Sequence, residues 1–313
     1  MSSLVNMFKD ALKGNQKQST RRVTSVGTWA SGKTTVLSCL GLTCENLSAS
    51  DPKFKYWPDE KGSGIRLFWS NLRRGRFPPA TPPGSYYESG FKLEWNGGFG
   101  SGTQTVDLPF CETSGEDCQK LIGTYALDPY HPTPISMQAT KQLFEYILRS
   151  DGFILIAPIS RALMFGDKGA ESEPDDLPVD PDLNLARILD AIYKYREQTH
   201  SKPIKGMAIL LTKYDKIIDD AKARGMDLRT NDGRQRFMTV YFPQTSANLK
   251  KFNIAVEYFP VFVQVETDDH GKPLVWGDGS GQKILVDQRR RLPVYSEQGY
   301  LDLIQWIKKT FAG

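Results

Sequence analysis

Apolar positions along the chain repeat with two spacings, and the changes of spacing mark its elements. Val23-Thr24-Ser25-Val26, Gly152-Phe153-Ile154-Leu155-Ile156-Ala157 and Ile204 to Leu211 are short runs with few polar breaks, the pattern of strands buried on both faces. Ala255 to Val265 predicts a last core strand. Phe91-Lys92-Leu93-Glu94-Trp95 alternates, Asn96-Gly97-Gly98 signals a turn, and Thr103 to Cys111 predicts the hairpin partner. Helical spacing covers Thr34 to Leu42, Ile135 to Arg149, Leu183 to Tyr195, most of 216–250 with breaks at Gly225 and Pro243, and Tyr300 to Phe311. Strands that alternate with helices predict an α/β fold, its mainly parallel sheet covered by helices on both faces.

Three stretches break this rhythm and read as insertions. Residues 45–84 lack periodicity and carry Trp57-Pro58, Gly62-Ser63-Gly64, Pro78-Pro79 and Pro82-Pro83-Gly84; they predict a long loop with at most a short helix from Ile65 to Leu72. Residues 158–182 include an acidic, proline-bearing stretch from Asp167 to Asp182, expected as a solvated loop. Residues 271–294 predict a β-hairpin around Gly277-Asp278-Gly279-Ser280-Gly281. Long insertions in a compact domain are usually functional. Residues 23–313 thus read as one domain, preceded by an appendage over 1–22.

In that appendage Leu4, Phe8 and Leu12 recur every four residues, as on one helix face, before Gly14-Asn15. Five basic residues against Asp10 give it a charge of +4, equal to the whole formal excess of 40 basic over 36 acidic residues. It reads either as a helix docked on the domain or as a basic amphipathic contact to a membrane or partner. The remaining balance of charge argues against a nucleic-acid partner. Four cysteines without a Cys-x-x-Cys pair and three histidines argue against zinc and suit a reducing compartment. No apolar run approaches the roughly 18 residues of a membrane span, and no secretory h-region is legible, so a cytoplasmic location is expected, with membrane association only through residues 1–20.

The chemistry begins directly after the first predicted strand. Gly27-Thr28-Trp29-Ala30-Ser31-Gly32-Lys33-Thr34 has the Gly-x-x-x-x-Gly-Lys-Thr spacing, and Thr34-Thr35 open the predicted helix. Glycines let successive N–H groups face one phosphate, and the helix N-terminus adds partial positive charge. Lys33 can reach the β- and γ-phosphates, and the Thr34 hydroxyl can ligate Mg²⁺ bridging them. A P-loop nucleotide-binding fold follows.

The strand Ala208 to Leu211 ends in Thr212-Lys213-Tyr214-Asp215. Here the chain resembles the TRAFAC-class P-loop GTPases, the Ras-like superfamily, whose guanine-reading motif is Asn-Lys-x-Asp, with Thr-Lys-x-Asp in Rho-type members. The Asp215 carboxylate would accept from the ring N–H and exocyclic amine of guanine, leaving adenine unmatched. The stem of Lys213 would lie along the base. Leu72-Arg73-Arg74-Gly75-Arg76-Phe77-Pro78-Pro79-Ala80-Thr81 looks like the first switch of the divergent bacterial double-GTPase-type branch, which implies Thr81 as the residue closing over Mg²⁺ and the γ-phosphate. Glu112-Thr113-Ser114-Gly115-Glu116 stands where the family has Asp-x-x-Gly-Gln. By this resemblance Glu112 would hold a Mg²⁺-bound water, Gly115 would donate an N–H to the γ-phosphate, and Glu116 would orient the attacking water. Arg76 is a candidate cis arginine finger, with Arg73 and Arg74 as competitors. The loop backing the guanine would be Val265-Glu266-Thr267.

Three functions fit these residues. The leading one is a Mg²⁺-dependent GTPase switch that binds GTP and GDP and controls a protein effector or regulator. The others are a nucleotide-binding scaffold with little turnover, suggested by Glu112, Glu116 and Trp29, and an ATPase or nucleotide kinase, for which Arg66, Arg73, Arg74 and Arg76 would supply a basic lid.

Overall fold

The computed structural model describes residues 21–27, 31–58, 63–79, 86–96, 103–113, 145–159 and 180–311. The helical segment expected over 1–20 and the part of the acidic insertion at 160–179 lie outside them.

The elements run β1 (Arg21–Gly27), α1 (Lys33–Ser50), β2 (Phe54–Pro58), α2 (Ser63–Arg73), β3 (Tyr86–Trp95) and β4 (Gln104–Thr113). There follow β5 (Gly152–Pro158), α3 (Pro181–Gln198), β6 (Gly206–Thr212), α4 (Ile218–Ala223), α5 (Asn231–Tyr241), α6 (Pro243–Phe252), β7 (Val256–Val261), a small ladder of β8 (Val286–Asp287) with β9 (Leu292–Pro293), and α7 (Glu297–Phe311). The seven long strands form one sheet in the order β2-β3-β4-β1-β5-β6-β7. β4, β1, β5, β6 and β7 are parallel; β3 runs antiparallel to β4, and β2 to β3.

Every residue of β5 and β6 is buried, as their unbroken apolar runs require. One face of the sheet packs Leu37 and Leu40 of α1, Trp69 and Leu72 of α2, and Leu303 and Ile307 of α7 against Val23, Ile154, Ile156 and Leu210. The other packs Leu185 and Leu189 of α3, Phe237 of α5 and Leu249 of α6 against Val26, Leu155, Ile209 and Leu211. Odd and even positions of the central strands thus serve two separate cores.

The structure corrects the expected long loop at 45–84. Residues 45–50 continue α1, because Leu40, Cys44 and Leu47 keep the helical period against the core. Phe54–Pro58 adds an antiparallel edge strand, Phe54 facing Trp95 and Pro58 facing Phe91, and the short helix is α2. Gly41 of α1 admits α2 to close range: a Cβ there would lie 2.5 Å from Cζ2 of Trp69. β1 starts at Arg21, inside the expected appendage, because the Asp151 carboxylate receives the Arg22 amide at 3.0 Å and pairs with Arg21.

Asp182 also departs from the solvated loop expected for it. Only 3% exposed, it accepts the backbone amides of Gln244 at 2.9 Å and Thr245 at 2.8 Å. It thereby caps the N-terminus of α6 from the first turn of α3, satisfying donors that Pro243 leaves at the helix start.

Candidate functional site

β1 is the point at which the strand order reverses, with β4 on one side and β5 on the other. In open α/β sheets, ligands bind outside the carboxyl ends of the strands at such a point. The registers bring the carboxyl ends level. Gly27 pairs with Ile156, and Pro158 with Thr212. The β1–β4 register, in which Ser25 faces Phe110, carries the backbone of Glu112 to the height of Gly27. The segments that carry the three sequence motifs therefore end on one edge of the sheet.

The described part of the phosphate-loop sequence is tightly folded. Ser31 is 1% exposed, and Lys33 reaches back so that its Nζ donates to the carbonyl of Gly27 at 2.8 Å. A Cβ on Gly27 would lie 2.7 Å from Ser31 Oγ and 3.0 Å from Ile156 Cβ, so only glycine fits where the chain doubles back. Gly32, at φ 80°, turns the chain into α1 and, as its N-cap residue, supplies no side-chain cap to the first turn. The N-terminus of such a helix carries unsatisfied N–H groups and a partial positive charge, the features that favour an anion. The Thr34 and Thr35 side chains are half-buried at this end, and the hydroxyl of Thr34 has no hydrogen-bond partner among the described residues.

The Thr-Lys-x-Asp segment is joined to this loop directly. Thr212 is buried, and its Oγ1 donates to the carbonyl of Ser31 at 3.1 Å, across 181 residues of sequence. Lys213 follows in the left-handed region at φ 63°, a conformation uncommon for a side chain of this size. It begins a 3₁₀ turn over Tyr214–Lys216 that carries Asp215. Burial pushes the Asp215 carboxyl above its ordinary value; the backbone amides of Asp215 and Lys216 and the charges of Lys216 and Lys213 act in the opposite direction. A carboxylate held partly out of water in this way gains from a ligand that donates two N–H groups.

Not every expected site residue is gathered here. Arg76 is engaged elsewhere. Its guanidinium donates to Asp278 at 2.8 Å and to Ser280 at 2.7 Å, and it lies over the ring of Trp276 on the 271–294 hairpin. The guanidinium is thus turned onto the hairpin in this structure. Val265-Glu266-Thr267 is held by isolated bridges: Glu266 N donates to Lys283 O, and Val265 and Thr267 bridge to Ile284 and Pro273. The segment that leaves β7 beside the Asp215 turn is instead Phe262, whose ring meets Tyr214 edge-on at 5.2 Å. Thr28, Trp29, Ala30, Thr81, Gly115 and Glu116 lie outside the described residues, and Glu112 is described for its backbone alone.

Sequence reading missed the Thr212–Ser31 link and the return of Lys33 onto Gly27, although both residue types were legible in their motifs. Among the described residues, no group of three or more His, Cys, Asp or Glu could hold a metal ion, and no helix is long and apolar enough to cross a membrane. No protein-family model and no curated protein matches the sequence.

Proposed function

We propose that this chain is a GTP-binding protein of the TRAFAC P-loop type, a slow Mg²⁺-dependent GTPase whose nucleotide state controls binding of a protein partner. The observation that carries the reading is the Thr212–Ser31 hydrogen bond. It couples the buried Ser31 of the phosphate-loop sequence to a Thr-Lys-x-Asp turn near the switch point of a mainly parallel sheet. A nucleotide would set its phosphates on one motif and its base on the other.

In this reading the N–H groups of Gly27 to Thr34 and the N-terminus of α1 hold the phosphates, with Lys33 shared between Gly27 O and the β,γ-oxygens. Asp215 accepts two hydrogen bonds from guanine, and Lys213 lies along its plane. The hydroxyl of Thr34, without a hydrogen-bond partner among the described residues, fits a Mg²⁺ ligand, joined by Thr81 and, through water, Glu112. Mg²⁺ typically takes one or two protein oxygens and completes its shell with phosphate and water. Bound there, the ion would neutralise charge on the β- and γ-oxygens. Glu116 would orient water and Gly115 would hold the γ-phosphate.

Slow turnover is favoured by one specific observation: Arg76, the arginine best placed in sequence to serve in cis, is tied to Asp278. Single-turnover hydrolysis of GTP labelled in its γ-phosphate separates the switch from the scaffold. A Mg²⁺-dependent rate that Lys33→Ala abolishes supports the GTPase. Tight GTP binding with no phosphate release, alone or with a partner, leaves only the scaffold.

A further inference from the structure

α2 carries charges that the proposed site does not use. Arg66, Ser70 and Arg73 fall on one stripe of the helix at i, i+4 and i+7, and Arg74, directly after its last residue, continues the turn through its amide to Ser70 O at 3.2 Å. The stripe faces Tyr56 and Pro58 of β2 and Glu45 of α1 across a cleft of about 570 Å³. Three guanidiniums meet one carboxylate in this lining. Arg73 pairs with Glu45 at 2.6 Å, whereas Arg66 and Arg74 are exposed and make no ion pair among the described residues. The floor is aromatic but closed. Trp69 is 7% exposed and stacks on Phe91 at 6.4 Å, so it offers no open ring face to a base.

We propose that this cleft is the docking site for an acidic, extended peptide segment of a protein partner. Arginines at a rim without an ion pair among the described residues take carboxylates in two-point contact. Glu45 in the lining disfavours a continuous phosphodiester chain. Arg66 and Arg74 are eight residues apart, about 12 Å along a helix. An extended strand covers that distance in roughly three to four residues, so acidic side chains at that interval match both arginines. The Tyr56 hydroxyl, pushed up to about 12 chiefly by burial, stays protonated and can donate to a third carboxylate.

The inference does not depend on the nucleotide reading and is tested without nucleotide. A fluorescein-labelled peptide with glutamate at every third or fourth position is titrated with the full chain by anisotropy, alongside a single-stranded oligonucleotide of equal length. The double reversal Arg66→Glu/Arg74→Glu should weaken peptide binding at least tenfold. Lys308→Glu/Lys309→Glu on α7 makes the same change in net charge and should leave binding within about twofold. Circular dichroism of both variants reports whether they remain folded. The proposal is overturned if the wild-type chain does not bind the peptide, if the two reversals act equally, or if the oligonucleotide binds more tightly through the same arginines.

Discussion

The guanidinium carbon of Arg76 lies 4.2 Å from the ring centre of Trp276, and the Trp276 indole N–H donates to the carbonyl of Gly75 at 3.2 Å. Gly75 O also receives the amide of Ile284 at 2.8 Å. The segment that follows α2 is therefore fastened to the C-terminal hairpin by backbone, ring and charge together. Asp278, drawn well below the ordinary carboxylate range by the Ser280 hydroxyl and then by Arg76, completes the clasp.

Removing the ring should release this clasp. Trp276→Ala is expected to lower stability by about 1–2 kcal/mol, from the lost cation–π contact and hydrogen bond, measured by urea denaturation. Arg76→Ala should leave the single-turnover rate of GTP hydrolysis roughly unchanged, because the guanidinium is held on the hairpin. A large fall in that rate would restore Arg76 as a catalytic finger.

The phosphate loop can be tested by shape and by charge separately. Gly27→Ala forces a methyl against Ser31 and Ile156 and should cost about 1–3 kcal/mol of stability, together with at least tenfold in GTP affinity. Lys33→Ala should lose at least tenfold, about 1.4 kcal/mol of binding, with unfolding nearly unchanged. Titration with fluorescent GTP and thermal melts followed by circular dichroism separate the two. Equal affinity of Lys33→Ala and wild type would remove the loop from the site.

Asp182 provides a test of the fold alone. A buried carboxylate that accepts two amides at a helix start is worth about 2–3 kcal/mol. Asp182→Ala should show that loss by urea denaturation, and Asp182→Asn, which keeps one acceptor, a smaller one. Nucleotide preference should be unaffected in the folded fraction.

Much of this was legible in the sequence, and what was not has physical reasons. β5 and β6 announced themselves because strands buried on both faces tolerate few polar residues, whereas β1 buries Thr24 and Ser25 between Val23 and Val26. β2 did not: Phe54-Lys55-Tyr56-Trp57-Pro58 is an edge strand with Lys55 and Trp57 exposed, and five alternating residues ending in proline resemble a turn as closely as a strand. Asp182 read as solvated because nothing local shows that its partners are the amides of Gln244 and Thr245, more than sixty residues away. The motifs around Lys33 and Asp215 were visible from residue types and spacing. Their connection through Thr212 and Ser31 was not, since it arises only when β1, β5 and β6 align in the sheet.

Asp215 links stability to pH in a direction opposite to that of a salt-bridged carboxylate. Its folded-state pKa lies above the ordinary 3.8, so folding favours the neutral acid. That contribution is complete below the unfolded value and is lost as pH rises through the folded value. At pH 7 the ionised group therefore weighs against the ligand-free fold. Asp215→Asn should raise the ligand-free melting temperature at pH 7 and raise it less near pH 4. An equal shift at both values would show that the carboxyl is not perturbed.

The central claim is that one guanine nucleotide bridges the Lys33 loop and the Asp215 turn. Fluorescent GTP bound in Mg²⁺ is competed with unlabelled GTP, GDP and ATP, for wild type and Asp215→Ala. The account predicts displacement by GTP and GDP, little by ATP, and loss of that preference in the variant. Equal competition by ATP, with no change on Asp215→Ala, would contradict it and leave an ATP-binding protein or kinase in its place.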